Sequence, residues 1–415
     1  MYRNAYEKRL KKSGFNDMMF TSEWHAPELE ILNSDEFGYT TDKSQMQLKI
    51  CGTDNKYKLD RFNVWINDVP LYGTNGMSLH SEVSDSIVKT LTIPLSEGNN
   101  RIQVSCMNEK GVESLKRSVD ISFNAMNPSK PDLYVIAMSV SEYMDNRYNL
   151  QYAVKDGKDI TNLFNSQSFK LEEYNKVYLD TLFNRMATKE NFFRIKSKLL
   201  NSKADDQVIV FVSGHGLLNK DLDFYFATYD IDFSNPEKRG ISFDDLEHLL
   251  DSIPARKKLM MMDACHSGEV DKAEPANFVA QNVESSANIT FRGSIKEYSF
   301  KGVNSNIVQS GTNLTSSFEL MQELFAGLDK GTGTVVISAA AGKGYALESP
   351  QWNNGVFTYS IINGLKNKAA DKNKDKKITI SELKDYSISQ VEKLTGGNQK
   401  PTARRETVGV DWRIW

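Results

Sequence analysis

Two apolar runs, each ending in a reactive side chain set among glycines, constrain the fold of this chain more than any other feature. The first reads Gln207-Val-Ile-Val-Phe-Val-Ser-Gly-His-Gly216 and the second Lys258-Leu-Met-Met-Met-Asp-Ala-Cys-His-Ser-Gly268. Continuous apolar runs bounded by glycine suit strands covered on both faces, as inside a parallel sheet flanked by helices. Such sheets bind ligands at the carboxyl ends of their strands, and His215 and Cys265 both fall there. They lie 50 residues apart in the chain, yet on adjacent strands they become neighbours.

The pairing of those two residue types has a chemical meaning. A free thiol is mostly protonated near neutral pH. An adjacent imidazole stabilises the thiolate, which is the nucleophile, and later protonates the leaving amine. The reading is therefore a cysteine-hydrolase dyad, with Cys265 as nucleophile and His215 as general acid/base. Gly216 and Gly268 leave backbone open beside the reacting carbonyl, which makes the N–H groups of Gly216 and Cys265 candidate oxyanion donors. A lone cysteine at a strand end is ordinarily a small buried hydrophobe, and a lone histidine a satisfied polar residue. Two of them on Gly-flanked strand ends point to chemistry. No third catalytic side chain stands out, so a backbone carbonyl is expected to orient the histidine.

At these residues the chain resembles the caspase-like cysteine peptidases, and among them the metacaspases and their bacterial relatives. Ser213-Gly-His-Gly216 is similar to that family's histidine motif and Asp263-Ala-Cys-His-Ser-Gly268 to its nucleophile motif. A histidine about 50 residues upstream of the cysteine is a known caspase spacing. Animal caspases have glutamine in place of Asp263 and arginine in place of His266. The resemblance runs from about Pro131 to the C-terminus and implies an α/β caspase-like sandwich, with a mostly parallel sheet and helices on both faces.

Asp263 stands two residues before the nucleophile, where an uncompensated carboxylate would be costly unless something positive visits. By the resemblance to metacaspases, Ser213, Asp263 and an aspartate on the first helix line the pocket for the residue before the cut bond. In Leu150-Gln-Tyr-Ala-Val-Lys-Asp-Gly157 that aspartate is Asp156, and Ala153 stands where the family usually has cysteine. An acidic pocket selects arginine or lysine. The structural alternative for Asp263 is a carboxylate bonded to loop N–H groups.

The resemblance also makes the polar stretch Glu269–Gly331 a processing loop, with Lys272, Arg292, Lys296 and Lys301 as candidate self-cleavage sites. No cofactor is required. Calcium is a candidate activator, because Asp230, Asp244 and Asp245 resemble the acidic cluster through which many metacaspases respond to it. Asp244 and Asp245 also suit the first turn of a helix. The run Asp371–Glu382 has the acidic spacing of an EF-hand loop, but Lys376 occupies its glycine position and four lysines oppose a cation. A turn that caps the following helix is the better reading.

The chain's 415 residues, 40% hydrophobic and 25% charged, suit a soluble globular protein of two domains. A net charge of −3 offers no basic footprint for nucleic acid. Its three cysteines make no disulfide framework, although Cys51 and Cys106 are placed to meet inside the first domain. No apolar run reaches the roughly 18 residues of a membrane span, and Met1–Phe20 is basic and amphipathic. A cytoplasmic protein is the default expectation.

In chain order, residues 1–26 read as a helix and linker, with Asn4–Gly14 ending on a C-cap glycine; the segment resembles a trimmed linker. Residues 27–125 show short alternating segments separated by Asn, Gly, Asp and Pro turns, as in an immunoglobulin-like β-sandwich able to bind a partner protein. Residues 126–131 form a Pro-bearing linker. Residues 132–415, the expected peptidase domain, alternate strands with helices, which implies right-handed crossovers. The function expected is that of a cysteine endopeptidase cutting protein or peptide substrates after Arg or Lys. The alternatives are a catalytically silent scaffold and a peptide ligase using the same dyad.

Overall fold

The structure is a computed structural model that describes residues 10, 25–82, 84–166, 173–219, 223–266, 290–292, 332–339, 346–403 and 411–415, the side chains of 265–266 and 290–292 excepted. The expected helix at Asn4–Gly14 lies outside these residues, Leu10 apart.

Two sheets make up the first part of the chain. One joins β1 (Glu28–Ile31), β3 (Gln45–Thr53) and β7 (Ser86–Pro94). The other runs β2 (Thr40–Thr41), β9 (Arg117–Phe123), β8 (Gly98–Asn108), β4 (Leu59–Ile66) and β5 (Val69–Pro70), with β6 (Met77–Ser78) also paired to β4. Strict alternation builds their shared core. In β3, Met46, Leu48 and Ile50 are buried while Gln45, Gln47 and Lys49 face water. These residues meet Phe62, Val64, Ile102 and Val104 of the other sheet.

The same alternation corrects the expectation that Cys51 and Cys106 meet. Cys51 follows the inward Ile50, so it turns to the outer face and lies 3.4 Å from Ser86 Oγ. Cys106 is fully buried on the opposite sheet, where its thiol donates to the Glu28 carbonyl at 3.3 Å. Both are free thiols, and burial pushes the Cys106 pKa up to about 11.

From Leu133 onward the chain is α/β. The large sheet runs β11 (Val177–Phe183), β10 (Leu133–Ser139), β12 (Gln207–Leu218), β15 (Lys257–His266), β17 (Thr334–Ser338) and β20 (Thr402–Ala403). The first five strands are parallel. β20 is antiparallel, and β12 turns into an antiparallel ladder with β13 (Phe224–Phe226), which pairs with β14 (Ile241–Ser242). A small separate ladder joins β16 (Thr290–Arg292), β18 (Ala346–Ser349) and β19 (Asn354–Gly355).

Every residue of β10 is buried, as a strand inside a covered sheet requires. Ile136, Val210 and Met260 face one side, with α2 (Lys189–Arg194), α3 (Lys196–Leu199) and α4 (Phe243–Leu250). Val135, Phe211 and Met261 face the other, with α1 (Ala153–Phe164), α5 (Val356–Lys366) and α6 (Ile380–Leu394). The helix starts follow from their caps. Thr188 accepts from Asn191 N–H, and capping boxes form at Ser242/Asp245 and Thr379/Glu382. Among the described residues, no helix is long and apolar enough to cross a membrane.

The β-sandwich abuts the amino ends of the parallel strands. Arg256, just before β15 and 7% exposed, donates to Ser96 Oγ at 2.6 Å and to the Pro94 carbonyl. Asp251 accepts from Thr74 N–H at 3.1 Å, and Asp205 from Glu97 N–H at 3.1 Å. Gly333, at φ +68°, lies so close to Val69 that a Cβ there would come within 2.8 Å of a methyl group.

Candidate active site

Parallel pairing of β12 with β15 sets Ser213 beside Asp263, Gly214 beside Ala264, His215 beside Cys265 and Gly216 beside His266. The backbones of the two expected catalytic residues are thus in register on neighbouring strands, which in a sheet means about 4.8 Å of lateral separation. The side chain of Cys265 is outside the described residues.

His215 is 4% exposed and fixed by its surroundings. Its Nε2 lies 2.8 Å from the Tyr148 carbonyl, so a backbone carbonyl occupies the orienting position. A carbonyl can only accept. Nε2 therefore carries the proton in this contact, and Nδ1 is left as the ring's basic nitrogen. The His215 backbone N–H donates to Tyr143 Oη at 3.0 Å. That hydroxyl can come so near because residue 214 is glycine, where a Cβ would lie 2.9 Å from it.

Three rings surround the imidazole: Tyr143 at 5.2 Å, Phe233 at 5.9 Å and Tyr148 at 6.3 Å between centroids. Sequence reasoning missed all three. Tyr143 and Tyr148 follow β10 at the carboxyl rim, where position alone could have found them. Phe233 carries no local signal.

The three residues expected to line the pocket also come together. Asp156 is fully buried in the first turn of α1 and accepts from Ser213 Oγ at 3.3 Å, Asn354 Nδ2 at 2.9 Å and Gly355 N–H at 3.1 Å. Helix α1 reaches this close because residue 157 is glycine, where a Cβ would lie 2.8 Å from the Phe183 ring. Asp263, likewise fully buried, accepts from Thr358 Oγ1 at 2.6 Å, a side-chain hydroxyl on α5.

Two further acids lie nearby. Glu348 of β18 is 1% exposed and accepts from Gln151 N–H at 3.0 Å. Asp159 accepts from Asn354 Nδ2 at 2.9 Å and pairs with Lys155. Neither was named from the sequence: Glu348 sits on a strand of four residues, and Asp159 reads as one more charge on α1.

Other predicted positions take different roles. Asp245 closes the capping box on Ser242 and pairs with Lys189 at 2.7 Å, while Asp230 pairs with Arg239 at 3.6 Å. Asp244 joins Asp245 in the first turn of α4. In the 371–382 loop the carboxylates accept from the loop's own N–H groups, and Glu382 caps α6. Among the described residues, no group of three or more His, Cys, Asp or Glu side chains is placed to hold a metal ion. Of the self-cleavage candidates, Lys272, Lys296 and Lys301 lie outside the described residues, and Arg292 contributes its backbone to β16.

A family model of the caspase domain matches residues 134–410. The chain belongs to the caspase-domain family. Membership supports cysteine peptidase activity in general terms, with a protein substrate.

Among solved structures, the chain is similar to protein GSU0716 from Geobacter sulfurreducens, at 15% identity over 68% of this chain and 98% of that one, with a TM-score of 0.43. It is also similar to caspase-1 from Spodoptera frugiperda, at 10% identity over 67% and 93%, with a TM-score of 0.37. Fibronectin(III)-like modules of Clostridium thermocellum CbhA match 24% of this chain over their full length, at 13% identity and a TM-score of 0.17. No curated protein matches the sequence.

Proposed function

We propose that this caspase-family protein is a cysteine endopeptidase that cuts after arginine or lysine, with Cys265 as nucleophile and His215 as general acid/base. The observation that carries the reading is the register of β12 and β15. It pairs the two reactive positions and, two residues earlier, sets Ser213 beside Asp263.

In the acylation step the Cys265 thiolate attacks the scissile carbonyl carbon. The oxyanion is met by the N–H groups of Gly216 and Cys265, and the proton held at His215 Nδ1 passes to the leaving amine. Water then attacks the thioester, giving its proton back to Nδ1 and releasing the acid product and the thiolate. Throughout, the bond from Nε2 to the Tyr148 carbonyl holds the ring in place.

Asp156 and Asp263 supply the negative charge for a basic side chain. Ser213, Asn354, Gly355 and Thr358 are neutral donors to these two carboxylates. The proposal extends to one self-cleavage in the 269–331 loop. An intact mass after full activation would remove that part.

The reading is tested by a positional scan of fluorogenic peptides, with and without calcium, on the wild type and Cys265→Ala. Arg and Lys substrates are expected to be cut by the wild type alone. Cleavage after Asp instead would overturn the acidic pocket.

A further inference from the structure

The carbonyl that orients His215 belongs to a short turn, tied at its end by Asn149 Oδ1, which accepts from Tyr143 N–H at 2.8 Å, and by Leu150 N–H, which donates to the Ser141 carbonyl at 2.8 Å. Tyr148 ends a 3-10 turn of three residues, Asn146–Tyr148, which is capped by the Asp145 side chain on Arg147 N–H. What lies against it from outside is Phe233. The two rings stack face to face, with centroids 3.6 Å apart and planes 12° from parallel. The same Phe233 ring stands nearly perpendicular to the imidazole, at 5.9 Å and 78°, and edge-on to Tyr143 at 5.5 Å. One phenyl ring thus touches the histidine, the residue whose carbonyl binds it, and the residue whose hydroxyl takes its backbone N–H.

The support behind Phe233 is itself tied down. Asp232 accepts from the N–H groups of Ser234 and Asn235 and from Asn235 Nδ2, and it pairs with Lys238 at 3.2 Å. Met144 N–H donates to the Tyr229 carbonyl at 2.9 Å, which fastens this segment to the loop that carries Tyr143 and Tyr148.

We propose that Phe233 is a positioning residue for the reaction: by stacking on Tyr148 it holds that carbonyl on His215 Nε2 and so fixes the tautomer and ring orientation that leave Nδ1 for catalysis. The proposal rests on the reading of His215 as general acid/base. Physically, the stack removes water from one side of the Nε2–H···O bond and restricts the turn that supplies its acceptor. Without it, the turn moves and the neutral imidazole redistributes between its two tautomers, only one of which has its acceptor nitrogen on the catalytic side.

The test combines kinetics with a readout that needs no turnover. Phe233→Ala is expected to lower kcat about tenfold to thirtyfold while leaving KM for a short peptide within about twofold. Phe233→Tyr and Phe233→Trp, which keep a flat ring, are expected to restore most of the loss; Phe233→Leu, which fills space without stacking, is not. In Cys265→Ala protein carrying ¹⁵N-labelled histidine, where no thiolate keeps the ring protonated on both nitrogens, the neutral His215 signals report the Nε2–H tautomer, and those of Cys265→Ala/Phe233→Ala move toward a mixture.

Unchanged kcat in Phe233→Ala and unchanged His215 signals in Cys265→Ala/Phe233→Ala, with the wild type active, would overturn the clamp. So would a Leu variant as active as wild type. A different failure, activity surviving in His215→Ala, would overturn the catalytic reading and leave the tautomer result standing.

Discussion

The two ends of β15 both bury charge, and they do so for different purposes. At the amino end, Lys258 is 1% exposed and Arg256 7% exposed. At the carboxyl end, Asp263 is fully buried two residues before Cys265. Desolvation pulls the Lys258 pKa down to about 7, and a search for perturbed groups would single it out. Yet among the described residues Lys258 Nζ donates to the Leu250 carbonyl, at 3.3 Å, against the end of α4. Arg256 spends its guanidinium on Ser96 and Pro94 of the β-sandwich. The amino end is an anchor. The carboxyl end gathers Asp156, Ser213 and the His215–Cys265 register on the rim where such sheets bind ligands. A buried charge marks a site only when the topology sets it beside reactive groups.

That contrast can be broken by experiment. The largest effect is expected at the rim: Cys265→Ala or His215→Ala should lower kcat/KM by about 10⁴-fold or more with the melting temperature nearly unchanged. A variant that keeps a tenth of its activity would end the assignment of roles. Next comes Asp263→Asn, expected to cost about 10²- to 10³-fold in kcat/KM for Arg and Lys substrates, without harm to folding, because a buried charge is removed while its Thr358 contact can persist. Equal losses for substrates of every type would show that Asp263 is not a selectivity residue.

At the other end the effects should fall on stability. The Lys258 pKa is near 7 in the folded protein against an ordinary 10.5. Between those values the unfolded chain therefore binds more protons, and stability rises with pH. The rise attributable to this group is about 3–5 kcal/mol across that window. Urea denaturation from pH 7 to 10 should show it in the wild type and not in Lys258→Met, and parallel curves would contradict the argument. The smallest effect is expected from Arg256→Ala, a loss of about 2 kcal/mol in unfolding free energy with kcat within about twofold of wild type. A collapse of kcat with stability intact would mean that the anchor reaches the site.

Much of this was legible in the chain because local rules and tertiary structure agree. The turn that caps the helix Ile380–Leu394 and the apolar runs of β12 and β15 are each written in consecutive residues. The proximity of Asp156 to Ser213 came from family resemblance, since no periodicity links positions 57 residues apart.

What stayed hidden has no local signature. The stack of Phe233 on Tyr148 joins residues from different loops. The acceptor for His215 is a backbone carbonyl, which every residue possesses and no sequence marks. Nothing in the sequence marks Arg256 and Lys258 as buried, because the sandwich and α4 that bury them are set by the fold. Cys51 and Cys106 stayed open for a related reason: both belong to the first domain, and only the pleat shows that one of them turns outward.

The grip of Arg256 on Pro94 and Ser96 also limits how this protein can be rearranged. Exchange of its leading half for an unrelated module would need a carbonyl and a hydroxyl at the same two points, or the strand bearing Cys265 would begin from an unsatisfied guanidinium in an apolar setting. The sandwich is thus no detachable ornament: the catalytic half inherits its foundation from it, and the two are expected to diverge, or be transplanted, as a single unit.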